Sequence, residues 1–385
     1  MTINKSEGRY FAVLFQYIRD NSPENVVISD NDTVIMLQND NNIRVIILTY
    51  GAAILEVRTP DRRGNFKNIA LSLASTSHYR KSPSYAGATL GPNAGRIPGG
   101  RLPIGDYEYS LTQNDGSNQL HGGYSNFSDN EWHVEQVGKD TDQVWLTLSL
   151  TAADGLDGYP GNREISVTYT LNNSNSLTIS FRAKSDKPTW MNLSNHTYWN
   201  LSGDFTQPAT IQFLHIHAEE VLYNDNEHLP MAFHPVDGTP FDFRKSACIE
   251  NRLEAFPGDQ QTSLSRGYNN AFALAVAKPR PEPGSGSGSG QVLRPAATLT
   301  DPESGRRMTL STDYPSLVMY SGGFLDESII LAGGAAGSPG CAIALEAQEF
   351  PDALHLADVP HPVVYPGEEW RRTIRFTFDL TDHME

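Results

Sequence analysis

Two stretches of the chain gather side chains that can move protons and hold a polar ligand. The first runs Asn192-Leu193-Ser194-Asn195-His196-Thr197-Tyr198-Trp199-Asn200-Leu201-Ser202-Gly203. It follows a segment that reads as a strand ending near Trp190, and it sets one His among three Asn, a Tyr and a Trp. Aromatic faces cover the C–H side of a pyranose, amides bind hydroxyls, and an imidazole exchanges a proton near neutral pH. The same composition serves equally as a polar turn whose histidine is only hydrogen-bonded. The second stretch runs Ala342-Ile343-Ala344-Leu345-Glu346-Ala347-Gln348-Glu349-Phe350-Pro351-Asp352. An apolar strand enters Glu346, where desolvation disfavours the charged carboxylate and suits it to act as a base. Gln348 shares its strand face. A strand-end acid paired with an Arg is the competing reading.

Other chemistries find less support. The chain has no Ser or Cys elbow, and no second acid is placed like a glycosidase pair. Residues 84–123 are rich in glycine and carry Arg96, Arg101 and His121, which marks close turns or approach to a ligand. The spacing is not that of a phosphate loop, since no Gly-Lys-Ser/Thr ending or helix follows. His215 and His217 would share one face of a strand, but no third metal ligand falls at a clean spacing beyond Glu219 and Glu220. Asp242 and Arg244 read as a structural pair. Glu346 taken with His196, His121 and Arg96 suits proton transfer without a covalent intermediate, with base and acid on opposite sides of a ring.

The elements that would position these residues are strands. Residues 34–37, 43–49 and 53–57 read as an antiparallel meander closed by turn-rich segments. The clearest hairpin is 165–171 with 177–183. Ile165, Val167, Tyr169 and Leu171 share one face, and Leu177, Ile179, Phe181 and Ala183 share the matching one, around Asn172-Asn173-Ser174-Asn175. Ile374, Phe376, Phe378 and Leu380 alternate in a closing strand. Residues 1–30 read as an N-terminal extension with one amphipathic helix over 10–19, ahead of a single domain over 31–385. The Pro-rich and Gly-Ser tract at 279–290 reads as a flexible surface loop between adjacent strands of one sheet system. Helix signals are weak after residue 30.

The 385 residues allow one large β domain. Lys and Arg number 29 against 45 Asp and Glu, a net charge of −16, which disfavours nucleic acid and anionic membrane surfaces. Two cysteines give no disulfide framework and indicate a reducing compartment. With no secretory signal and no apolar run of the roughly 20 residues that span a bilayer, the expected location is cytoplasmic.

Taken in order, the motifs resemble the aldose 1-epimerase (galactose mutarotase) family over residues 33–380. They are Tyr50-Gly51-Ala52, Pro60-Asp61-x-x-Gly64, Gly91 to Arg101 with Arg96-Ile97, Asn118-Gln119-Leu120-His121-Gly122-Gly123, and the His196 stretch. Gly238-Thr239-Pro240-Phe241-Asp242-Phe243-Arg244, Gly267-Tyr268, Glu346-Ala347-Gln348-x-Phe350-Pro351-Asp352-Ala353 and Pro366-Gly367-Glu368 complete the series. The resemblance implies an all-β fold, a large antiparallel super-sandwich with few helices. It implies interconversion of the α and β anomers of a free aldose by ring opening and closure. Glu346 would be the general base and His196 the general acid, with Arg96, His121 and Asn269 holding the sugar, and with no metal or organic cofactor. The partner would be a hexose or other aldose and the protein a monomer or homodimer. A catalytically weak sugar-binding protein on the same fold is the alternative. Three positions depart from the family pattern: Gly95 for Asn, Asn269 for Asp and Val318 for Gln. These departures lead to an expectation of retained proton chemistry on a non-galactose or modified sugar.

Overall fold

The computed structural model describes residues 27–28, 32–80, 82–274 and 292–381. The helix expected over 10–19 and the Gly-Ser tract at 279–290 lie outside the described residues. Almost every regular element is an antiparallel strand, and three short α-helices, Thr76–Tyr79, Ile249–Ala255 and Gln260–Leu264, are described. No described helix is long and apolar enough to cross a membrane.

The meander forms as its β-branched residues dictate: Val34–Gln38, Arg44–Leu48, Ala53–Pro60 and Phe66–Asn68 make a four-stranded sheet in that order. The hairpin holds the register that its alternation required, with Ile165 opposite Ala183, Val167 opposite Phe181 and Tyr169 opposite Ile179. It belongs to a nine-stranded sheet that also contains the closing strand Trp370–Leu380. A six-stranded sheet has the order Tyr198–Trp199, Ile343–Gln348, Ser316–Tyr320, Asn269–Leu274, Ala218–Asn224, Pro230–Pro235.

Period-two alternation gives the six-stranded sheet two unlike faces. Leu317, Met319, Leu345 and Ala347 join one apolar core with Val167, Ile179, Leu310 and Phe376 of the larger sheet. Trp199 packs its ring 4.8 Å from that of Phe376 across the same interface. Truncating either aromatic to Ala would cost about 3–5 kcal/mol. The residues between them, Val318, Glu346 and Gln348, are turned to the opposite face, where they line a cavity. A buried sheet thus presents a carboxylate because the alternation that fills the core leaves residue 346 on the other side.

The strands flanking the Gly-Ser tract are not neighbours. Asn269–Leu274 lies in the six-stranded sheet and Arg294–Thr300 in the nine-stranded one. The residue pattern of a strand does not say which sheet it joins.

Candidate active site

The cavity holds about 290 Å³ of space. Glu346, His196, Arg96, His121 and Asn269 all line it, although they lie far apart in the chain, from residue 96 to residue 346. Gly95 and Val318 line it too.

Glu346 comes from the strand Ile343–Gln348 and is 4% exposed. Its only ion-pair partner among the described residues is His196, whose Nε2 lies 3.5 Å from Oε1. The arginine-paired acid is instead its neighbour Glu349, bound to Arg372 at 2.7 Å. Burial pushes the Glu346 carboxyl up to about 8, with the positive charge of Arg96 offsetting part of that rise.

His196 sits between two short strands, Ser194–Asn195 and Tyr198–Trp199, that tie it to different partners. Ser194–Asn195 pairs with Thr89–Leu90, while Tyr198–Trp199 pairs with the Glu346 strand. The surrounding amides Asn192, Asn195 and Asn200 do not line the cavity and bond to main-chain groups instead. Asn192 donates to the Ala94 carbonyl and accepts from the Glu349 N–H. Asn195 donates to the Gly87 carbonyl, and Asn200 to that of Cys341. These three amides satisfy buried main-chain groups and leave the histidine facing the cavity. Its Nδ1 meets no side-chain partner, and burial brings its pKa down to about 4. Tyr198 forms wall beside it, with rings 4.7 Å apart and its hydroxyl donating to the Ser84 carbonyl.

The opposite wall comes from the glycine-rich segment. A short ladder pairs Arg96 with Leu120 and so carries His121 into the cavity. Gly122 follows at φ +93°, where an added Cβ would lie 2.3 Å from the Gly91 carbonyl oxygen. Glycine there is a packing requirement as well as a conformational one. The His121 ring stands 5.7 Å from that of His196 and 4.8 Å from that of Tyr85. Burial first, then His196 and Arg96, hold its pKa well below the usual histidine range. Arg96 is anchored by Asp115, Nε to Oδ2 at 2.7 Å.

Asn269 lies on the cavity floor opposite Tyr320. Its main-chain carbonyl accepts from Asn224, which also lines the cavity. Sequence reasoning did not find Asp115, Tyr85 or Asn224, since nothing in their local spacing separates them from ordinary turn and strand residues. Gln348 was legible as a face-mate of Glu346 but not as a ligand. Its Oε1 is buried without a hydrogen-bond partner at the cavity.

A buried acid and a buried histidine stand in direct contact in a cavity with polar and aromatic walls, an arrangement chemically able to exchange protons with a ligand. The family profile described as aldose 1-epimerase matches residues 33–377. The chain belongs to the aldose 1-epimerase family. It is 30% identical to galactose mutarotase of Sus scrofa over 345 residues, 89% of this chain and 93% of that protein. It is likewise 30% identical to the aldose 1-epimerase of Escherichia coli K12 over 355 residues, 90% of this chain and 94% of that one. Among solved structures, galactose 1-epimerase from Lactobacillus acidophilus superposes with a TM-score of 0.77 at 31% identity, covering 91% and 96% of the two chains. An aldose epimerase homologue from C. elegans gives 0.79 at 26% identity, covering 91% and 100%. The chain is an epimerase of the galactose mutarotase-like fold, an isomerase class that interconverts aldose anomers.

Proposed function

We propose that this aldose 1-epimerase opens and recloses the pyranose ring with Glu346 as base and His196 as acid. The observation that carries this reading is the contact of Nε2 with Oε1 at 3.5 Å between two buried side chains, with no arginine among the described residues ion-paired to the carboxylate. The anomeric hydroxyl O1 and the ring oxygen O5 share one carbon. Two proton-transfer groups in contact can therefore serve both oxygens at once.

Glu346 removes the proton from O1 as His196 protonates O5. The electron pair of the O1–H bond becomes the second bond of the aldehyde, and the C1–O5 bond breaks. Rotation about C1–C2 exposes the other face of the aldehyde. The O5 hydroxyl then attacks, His196 takes back its proton, and Glu346 returns the other proton to O1. No proton is gained or lost over the cycle.

The resting site holds the same proton inventory. With the Glu346 carboxyl up near 8 and His196 down near 4, the pair carries one shared proton at neutral pH. Burial favours the neutral form of each group in the empty site, which places that proton toward the carboxyl. Its transfer to His196 gives the reactive arrangement without exchange with solvent. Arg96, His121, Gln348 and Asn269 hold the sugar, and Tyr85 and Tyr198 cover its C–H faces.

The test is the optical rotation of freshly dissolved α-D-glucopyranose and α-D-galactopyranose. Added protein shortens the approach to equilibrium for at least one of them. Unchanged relaxation for these and other aldoses removes the reading.

A further inference from the structure

Glu346 begins a cross-strand row in which the next two members carry no polar side-chain atom. Val318 stands directly opposite Glu346, and Ala271 directly opposite Val318. All three line the cavity. Side chains in directly opposed positions stand about 4.5–5.5 Å apart at Cβ, so the apolar patch starts one strand away from the carboxylate. On the other side of the Glu346 strand lies Tyr198–Trp199, and His196 reaches the carboxylate from there. Glu346 therefore separates His196 from Val318.

This order orients the sugar, given the proton-transfer reading on which the inference rests. With the acid on O5 and the base on O1, C1 sits at Glu346. The remaining ring neighbour of C1 is C2, on the side away from O5. C2 and its substituent project over Val318 and Ala271. Val318 has ladder partners in both neighbouring strands, and Ala271 has Val318 as its partner. Polar floor resumes at Asn269, Tyr320 and Gln348, each two residues further along its strand. A hydroxyl on C2 loses water there and finds no polar side-chain atom directly beneath it.

We propose that the site takes 2-deoxyaldoses, favouring 2-deoxy-D-glucose over D-glucose, and that Val318 sets this preference. An apolar patch rejects an added hydroxyl only weakly, so glucose and its C2 epimer mannose remain substrates within about 100-fold.

The test is kcat/KM for anomerisation of 2-deoxy-D-glucose, D-glucose and D-mannose, with the uncatalysed rates subtracted. Wild type, Val318→Gln and the near-isosteric Val318→Thr are compared. The wild-type ratio of 2-deoxyglucose to glucose is expected to lie above one, between about 1 and 100. Both variants, each supplying a polar atom to O2, lower that ratio by about fivefold or more. A wild type that favours glucose by about tenfold, or a ratio that moves in neither variant, overturns the inference while leaving the proton-transfer reading standing. Acceleration of none of the three sugars, or of any other aldose, overturns both.

Discussion

The main-chain N–H of Gly95 donates to Nδ1 of His121 across 3.1 Å. A ring nitrogen that accepts carries no proton, so His121 is neutral and holds its proton on Nε2. Burial, His196 and Arg96 all act to keep it so. We expect 15N NMR to find the Nε2–H tautomer unchanged from about pH 5 to about pH 8, above the onset of any titration. His121→Gln retains a donor and should raise KM less than His121→Ala. A His121 that titrates near the ordinary histidine value would contradict this assignment.

The shared proton sets the pH dependence of catalysis. Below about 4 His196 and Glu346 are both protonated and no base remains; above about 8 both are bare and no acid remains. The profile of kcat/KM, which reports the free enzyme, should be flat between these limits and fall on each side. The limits belong to the pair and not to either residue alone. Measurement across buffers of constant ionic strength checks this, and activity that keeps rising above about pH 8 would argue against it.

Stability should carry the same signature with the sign set by burial. The folded pKa of Glu346, about 8, lies above its ordinary value of 4.5. Its contribution to stability is therefore complete below pH 4.5 and is lost as pH rises through about 8. Glu346→Gln is never charged and escapes that loss. Its melting temperature should exceed the wild-type value by about 3 °C or more near pH 9, with a smaller difference near pH 5. Differential scanning calorimetry at the two pH values decides the point.

Gln348 presents a buried, unpartnered Oε1 to the cavity. A native protein leaves such an atom bare mainly where a ligand completes it. Gln348→Met keeps the volume and removes the acceptor. The expected result is a rise in KM of about 5–50-fold with kcat changed less than about threefold, equivalent to roughly 1–2 kcal/mol of uniform binding. A fall in kcat at constant KM would place Gln348 in the chemistry instead.

The parts of the molecule that were legible in sequence are those governed by periodicity. The hairpin over 165–183 has its register fixed because a one-residue slip would turn Val167, Tyr169, Ile179 and Phe181 away from the core. The helices Ile249–Ala255 and Gln260–Leu264 escaped notice because one or two turns are too short to establish a period. The segment carrying Arg96 and His121 has no period at all. Its path depends on positive φ at Gly95, His121, Gly122 and Gly123, which sequence signals only as glycine density. Site residues fared unevenly for a related reason. His196 and Glu346 stand in motifs, but composition could not tell a ligand-binding amide from one that satisfies main chain, as Asn192, Asn195 and Asn200 do. Gly95 N–H, Asp115 and Tyr85 gain their roles through contacts made only in the folded chain.

On the proposed mechanism, Glu346 and His196 exchange protons with O1 and O5 of one sugar. The most direct measurement is kcat for anomerisation by Glu346→Gln and His196→Asn, followed by polarimetry on a substrate that the wild type turns over. Sugar binding is to be checked by calorimetry in the same preparations. Each substitution should lower kcat by about 10²–10⁴ while binding persists. The double variant should lose little more than the worse single one, since the two residues act as a unit. Either single variant retaining more than about a tenth of wild-type kcat would contradict the account.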